Sequence, residues 1–242
     1  MKEHIEGVGE VITPSTFKEK IANFWYHYKW HSVVAIALVF AITVCSLQFC
    51  TKESYDIHIF YAGNKTIGRT STDGDVAEIA TINSSLKKII EDFDNDKEKT
   101  LNFSNYYFLS DSEMNDLDIS SDYSYITGDR NTLTSVLQHS EYYLCFISPA
   151  VYEEYNENGD IDLFLSLEEY KESYPEIEYY AYNAIKLSSV DFYNMPGISN
   201  LPRDTLICIK TPGALASKSK EHQAHVENAF TVLGNLLNYK IS

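Results

Sequence analysis

Residues 32–49 read SVVAIALVFAITVCSLQF and contain no charged residue, no glycine and no proline. Between the nearest charged residues, Lys29 and Lys52, an α-helix would be about 33 Å long, and the hydrocarbon core of a bilayer is about 30 Å thick. The Val, Ile, Leu and Phe side chains together favour insertion by about 3 to 6 kcal/mol. The segment therefore predicts a transmembrane helix over residues 32–50, which separates a short tail (1–31) from a long domain (53–242).

The tail combines a helix-start pattern with a cluster of aromatic residues. Thr16 and Glu19 have capping-box spacing, and apolar residues follow at helical intervals, which predicts a helix over residues 14–31. Tryptophan and tyrosine concentrate where a membrane meets water. We therefore predict that four aromatic residues contact the lipid bilayer at the headgroup level: Trp25, Tyr26, Tyr28 and Trp30.

The flanks of the apolar segment predict an uncleaved signal anchor, because a long tail precedes it and no A-x-A pattern follows it. Lys20 and Lys29 lie close on the N-terminal side, and only Lys52 lies close on the other side. Cytoplasmic flanks carry the excess of positive charge. The pattern favours a single-pass protein of the cell membrane with a cytoplasmic tail and its C-terminal domain outside.

The formal net charge of the chain is −16, and it is concentrated in the long domain, where 14 basic residues face 31 acidic ones. A surface this negative repels phosphate backbones, so we expect no nucleic acid among the partners. Seventeen of the 19 tyrosines also lie in residues 53–242. Tyrosine offers rigid contact area to ligands and is equally suited to half-buried strands.

Strand and helix patterns alternate through residues 53–242, which predicts an α/β domain with one mixed sheet of four to six strands. Residues 75–93 and 218–239 have the apolar spacing of amphipathic helices. Residues 191–202, with two prolines and a glycine, predict a surface loop. The predicted strands cover residues 55–63, 100–109, 141–147, 184–187 and 204–210. Cys145 and Cys208 fall in two of these strands, where free buried cysteine is common.

The motifs for metal binding and catalysis are incomplete. Residues 92–98 place acids at every second position, as a calcium loop does, but Lys97 stands where that loop needs glycine. His222 and His225 could face one metal ion, yet no motif places a further ligand beside them. The chain has no nucleophile elbow, zinc-protease motif, dinucleotide fingerprint or phosphate-binding loop. We therefore predict no cofactor, no metal site and no catalytic residue.

Several segments together resemble one group of proteins. The run FKEKIANFWYHYKWHSVVAIALVF (17–40) resembles the start of single-span, membrane-anchored proteins of clostridia and other Firmicutes. YDIHIFYAG, YYLCFISPAVYEEY, IDLFLSLEEY and DTLICIKTP are similar to later segments of that group and to pieces of one lobe of a type II solute-binding protein. The resemblance implies a Gram-positive surface protein with a solute-binding-like domain, and it assigns no functional residues.

The candidate ligand site lies where predicted strands end. Ser148 and Pro149 occupy the N-cap and first position of a helix that follows a buried strand, where backbone donors point outward. We predict five ligand-binding residues: Tyr61, Gly63, Asn64, Ser148 and Tyr193. The leading hypothesis is a non-catalytic extracellular domain that binds a small-molecule solute or a partner protein. The alternative is a structural accessory subunit of a membrane transport or secretion complex.

Overall fold

The apolar segment belongs to one long helix, α1 (Phe17–Cys50), in a computed structural model of the chain. The structure describes residues 16–50, 55–68, 73–115, 123–139, 141–157, 163–213 and 216–241. Within these ranges, Phe24–Ser46 is the one stretch that length and composition would allow to cross a membrane, with a mean hydropathy of 1.7 and none of it buried. The predicted juxtamembrane helix and the predicted span are therefore one continuous helix, and it lies in a unit of its own, residues 1–53.

The second unit, residues 54–242, is built on a six-stranded mixed sheet, as the alternating patterns predicted. The spatial order of the strands is β2-β1-β3-β6-β5-β4. β1 is parallel to both β2 and β3, and the remaining pairs are antiparallel. The strands are Ile57–Gly63 (β1), Leu101–Tyr107 (β2), Leu144–Ile147 (β3), Tyr179–Ala181 (β4), Ala184–Lys186 (β5) and Leu206–Ile209 (β6).

The helices of this unit cover both faces of the sheet. They are Asp73–Leu86 (α2), Asp111–Asn115 (α3), Tyr123–His139 (α4), Pro149–Glu157 (α5), Glu168–Ser173 (α6) and Lys220–Asn238 (α7). Alternate residues of β1 enter two separate cores because successive strand side chains point to opposite faces. Ile59 and Tyr61 pack with residues of α2 and α7, whereas Phe60 and Ala62 pack with residues of α4 and α5. The chain is therefore a three-layer α/β domain with β1 and β3 buried at its centre.

The connections around β1 create a point where the strand order reverses. The chain passes from β1 through α2 to β2 on one side, and then through α4 to β3 on the other side of β1. In open α/β sheets a crevice forms outside the carboxyl ends of the strands at such a switch point. Here the switch point falls between the ends of β1 and β3, at Gly63 and Ser148.

Residues 191–202 do not form the predicted surface loop. They form successive 3₁₀ turns, Asp191–Asn194 and Ile198–Asn200, whose apolar side chains enter the core. A 3₁₀ helix repeats every three residues. Residues at that spacing are all buried: Phe192, Met195, Ile198 and Leu201. Pro196 and Pro202 follow the two short turns and Gly197 precedes the second one, so the segment is irregular but packed.

Two further boundaries differ from the sequence prediction. α2 ends at Leu86, although the apolar spacing continued to residue 93, and Val76 on the predicted buried face is 68% exposed. The sequence also predicts a helix over residues 162–170, but in the described part of this range Phe164 is extended and pairs with Lys210, just after β6, and α6 starts only at Glu168. Cys145 and Cys208 face each other across β3 and β6 as free, buried thiols.

Candidate functional site

The carboxyl ends of β1 and β3 meet closely because Gly63 has no side chain. Ser148 donates its backbone N–H to the carbonyl oxygen of Ala62 at 2.8 Å. A Cβ atom on Gly63 would lie 3.2 Å from the Cβ of Ser148 and 2.5 Å from the hydroxyl oxygen of Tyr61. Three of the five predicted ligand-binding residues therefore lie together at the switch point.

Tyr61 brings a phenol to this edge from the buried face of β1. Its hydroxyl oxygen accepts the backbone N–H of Lys65 at 3.4 Å, and its side chain is fully buried. Burial raises the pKa of Tyr61 far above its usual value, so the phenol keeps its proton at any physiological pH. The switch point thus holds a neutral phenol beneath it.

Ser148 caps the helix that leaves the switch point. Its hydroxyl oxygen accepts the backbone N–H of Val151 at 3.4 Å, and α5 begins at Pro149, as the Ser-Pro pair predicted. The side chain is 8% exposed. Ser148 therefore stabilises α5, and its buried hydroxyl lies next to the ends of both strands.

Asn64 joins the end of β1 to the loop after β2. Its amide nitrogen donates to a carboxylate oxygen of Glu113 at 3.0 Å. Glu113 in turn accepts the backbone N–H and the hydroxyl of Ser110, both at 2.8 Å, and its own N–H donates to Ser110 Oγ at 3.3 Å. This reciprocal pairing is the capping box of α3. Partial burial opposes ionisation of Glu113, but these hydrogen bonds outweigh it and lower the pKa of the carboxyl group.

The sequence analysis missed Ser110 and Glu113, although the S-x-x-E spacing is visible in residues 110–113. It also missed Lys65, which no motif marks. Lys65 forms an ion pair with Glu78 at 3.0 Å and donates to the carbonyl oxygen of Asn200 at 2.8 Å. These contacts tie the loop after β1 to α2 and to the 3₁₀ segment.

Tyr193 lies in that 3₁₀ segment, and none of its hydrogen bonds reaches the switch point. Its hydroxyl donates to the carbonyl oxygen of Leu201 at 2.9 Å, within its own segment. The side chain is 9% exposed. Its bonding is therefore that of a residue that holds the segment together, although its ring belongs to the same hydrophobic core as Tyr61.

The described cavity lies away from the five predicted residues. It is a shallow depression of about 410 Å³ on the outer face of α2, closed at one end by Pro196. Small side chains form most of its wall, and Ser85 donates its hydroxyl to the carbonyl oxygen of Pro196 at 2.7 Å. The lining residues are Ala77, Ala80, Thr81, Ser84, Ser85, Lys88 and Pro196.

In the segment that resembles a calcium loop (92–98), carboxylates accept hydrogen bonds from the segment's own backbone. Asp92 accepts the N–H groups of Asp96 and Lys97, at 3.2 and 2.9 Å. Lys97 adopts a φ of 78°, the left-handed conformation for which glycine is the usual residue. The neighbouring Asp56 is buried and accepts N–H groups from Phe93 and Thr100. The acids stabilise a tight turn between α2 and β2.

No family model, curated protein or solved structure matches this chain. The likeness to clostridial anchored proteins and to a solute-binding lobe stays a prediction from the sequence.

Proposed function

We propose that this chain is a membrane-anchored binding protein, without catalytic activity, whose α/β domain recognises a small polar solute outside the cell. The solute would lie at the switch point between β1 and β3. The observation that carries the proposal is the convergence of Gly63, Ser148 and Asn64 on that edge, where the strand order reverses.

Anchoring is supported by the composition of α1. Its apolar stretch of 23 residues buries nothing against its own chain, so a bilayer is the solvent that suits it. Trp25, Tyr26, Tyr28 and Trp30 are all more than half exposed on α1, as residues at a headgroup interface would be. Basic residues are equally frequent within about twenty residues of the two ends, but Lys20 and Lys29 lie closest before the segment and only Lys52 closest after it, and this mild bias supports placing the acidic domain outside.

The polar groups at the switch point define the class of solute. Asn64 and Ser148 offer an amide and a hydroxyl, and both are uncharged. The Lys65 charge is already paired with Glu78, while Glu113 stays ionised close to Asn64. An anion would meet the carboxylate of Glu113, so the site favours an uncharged or cationic polar solute.

The test is to purify the full chain from native membranes in mild detergent and to identify the small molecules that elute with it. Asn64→Ala removes one solute contact at an exposed site and should weaken binding of the identified solute about fivefold, as the loss of one hydrogen bond does. Asn194→Ala, an exposed asparagine of the 3₁₀ segment, is the matched control. Equal solute content in Asn64→Ala and the unaltered chain would refute the proposed site.

Topology is tested separately by adding protease to intact cells. Digestion of the domain without lysis supports an exterior domain, and protection until lysis contradicts it. Resistance of the full chain to alkaline extraction from membranes tests the anchor alone.

The outer face of α2 favours a second candidate function, the structural accessory subunit. Small residues three or four positions apart allow close approach of another helix, and Ala77, Ala80 and Ser84 are exposed there. Cross-linking in native membranes distinguishes the two functions. A stoichiometric protein that is lost on Ala80→Trp would support the accessory subunit, and co-purification of a solute without such a protein would support the binding domain.

A further inference from the structure

We propose that a first-row divalent transition-metal ion, of which zinc is the best example, binds at the amino-terminal end of β1 and β3. This site lies at the edge of the sheet opposite to Gly63 and Ser148, so it does not depend on the proposed solute site. Its ligands are Glu141, Glu221 and His225, with His58 as the fourth.

Three of these side chains already converge. One ligand atom from each of Glu141, Glu221 and His225 lies within 4.8 Å of the other two. Ligand atoms around a tetrahedral zinc ion are roughly 3.3 Å apart. Glu141 is partly exposed and Glu221 is exposed, so both side chains are free to turn and close the remaining gap.

The elements explain why the ligands meet. Glu221 and His225 are four residues apart on the first turns of α7, so they lie one above the other on one helix face. α7 packs on the face of the sheet that holds Ile57 and Ile59. Glu141 comes three residues before β3, and β3 is the parallel neighbour of β1.

His58 completes the set from β1. Its Nε2 lies 3.7 Å from a carboxylate oxygen of Glu141, and its ring centre is 6.4 Å from that of His225. Tyr55 and Tyr142 pack edge-on against the same ring, with centroids at 5.5 and 5.2 Å. The imidazole is therefore held in place by aromatic contacts, and it is 16% exposed.

Asn102 holds the other nitrogen of His58. The two residues are partners in the β1–β2 register, and the Asn102 amide lies 3.3 Å from Nδ1. A ligating histidine keeps its proton on the nitrogen away from the metal and donates it to an oxygen. Rotating the Asn102 side-chain amide by half a turn exchanges its oxygen and nitrogen. The oxygen then lies next to Nδ1 and accepts the proton of a His58 that binds the metal through Nε2.

The donor set selects the ion. Two imidazoles and two carboxylates match zinc, copper or nickel, whereas calcium takes six to eight oxygen ligands and magnesium keeps its waters. Two carboxylates held close together repel one another, and a dication between them removes that repulsion. His222, three residues before His225, is left out of the set, because its ring packs on Tyr143 and its Nδ1 lies 2.7 Å from the Tyr143 hydroxyl, whereas the rings of His58 and His225 contact each other.

The sequence analysis considered His222 and His225 as a pair and found no third ligand. The structure selects His225 alone and supplies Glu141 and His58, which lie 84 and 167 positions away in the chain. No spacing motif could have joined residues so distant.

The test is a titration of zinc chloride into the full chain in detergent after treatment with a chelator, followed by calorimetry. The unaltered chain should bind one tight equivalent, and His225→Ala and Glu141→Gln should each weaken it at least 100-fold. Asn102→Ala should weaken it about tenfold, as the loss of a hydrogen bond to a ligating histidine does. Calcium chloride should produce no comparable binding.

Two controls locate the ion and exclude misfolding. His139→Ala, at the exposed end of α4, should leave zinc binding unchanged, as should a chain with both His27→Ala and His31→Ala in α1. After metal removal with the chelator, the variants should melt at the same temperature as the unaltered chain. Added zinc should raise the melting temperature only of those chains that still bind it. Equal zinc affinity in His225→Ala and the unaltered chain, or loss of binding in the α1 variant alone, would overturn the proposal.

Discussion

At the scale of single residues, Gly197 is the glycine that the backbone most clearly requires. It has a φ of +79°, and an added Cβ would lie 2.9 Å from the backbone nitrogen of Ile82. Both the left-handed conformation and the contact with α2 penalise any side chain.

We predict that Gly197→Ala lowers the free energy of unfolding by about 1 to 3 kcal/mol. Gly234→Ala is the matched control, because nothing lies within 4 Å of its added Cβ and alanine is the better helix former in α7. The control should raise stability by about 0.5 to 1 kcal/mol. Urea denaturation followed by tyrosine near-UV circular dichroism measures both. An unchanged midpoint for Gly197→Ala would contradict the assigned backbone conformation.

Glu113 makes the stability of the fold depend on pH. Its folded pKa is lower than the 4.5 of an unperturbed carboxyl group, since the hydrogen bonds from Ser110 and Asn64 outweigh the effect of partial burial. A lowered folded pKa means that the carboxylate stabilises the fold above about pH 4.5 and that this stability is lost as the pH falls through the folded pKa.

We therefore expect Glu113→Gln to melt a few degrees below the unaltered chain at about pH 7, and the difference to shrink toward about pH 3. Glu172→Gln, an exposed glutamate of α6, should show no such gap. Melting curves across this pH range decide the matter. If the difference in melting temperature between Glu113→Gln and the unaltered chain stayed the same at low pH, Glu113 would stabilise the fold through something other than its charge.

At the scale of elements, the 3₁₀ segment shows where sequence patterns fail. Its prolines and glycine predicted a surface loop, yet Phe192, Ile198 and Leu201 are almost fully buried. The apolar residues of this segment recur every three residues, whereas α-helices repeat every 3.6 residues and strands every two. The spacing therefore matched neither of the two patterns by which elements are predicted.

Ile198→Ala should therefore cost about 2 to 5 kcal/mol, the range for a fully buried aliphatic side chain replaced by alanine. Asn194→Ala, an exposed position of the same segment, should stay within about 0.5 kcal/mol of the unaltered chain. Thermal or urea unfolding of the two variants side by side provides the comparison. Similar stability in both would mean that the segment is a loop after all.

Elements that follow simple periods were predictable, and so was part of the site. β1 and α7 were located from alternation and helical spacing, and the meeting of Gly63 with Ser148 followed from the rule that parallel strands share a carboxyl edge. The Glu141–His225 cluster was not predictable, because it depends on how α7 docks against the sheet. Docking is set by the summed packing of many side chains, which no local pattern records.

Taken as a whole, the chain divides into two compact units, and residues 1–53 contain a helix that is long and apolar enough to cross a membrane. Residues 54–242 have a core on each face of the sheet and most of the negative charge. All described residues of both cores belong to this unit. The domain should therefore fold without the helix.

We predict that a chain starting at Ser54 is soluble without detergent and melts within about 2 °C of the full chain in detergent. The reason is that the shorter chain keeps every described residue of both cores, while the exposed apolar surface of α1 is lost. Size-exclusion chromatography and circular dichroism on both chains measure solubility and melting. A chain carrying Ile198→Ala in the same truncation serves as the destabilised reference. Aggregation of the truncated chain, or a melting temperature as low as that reference, would show that α1 takes part in the folding of the domain.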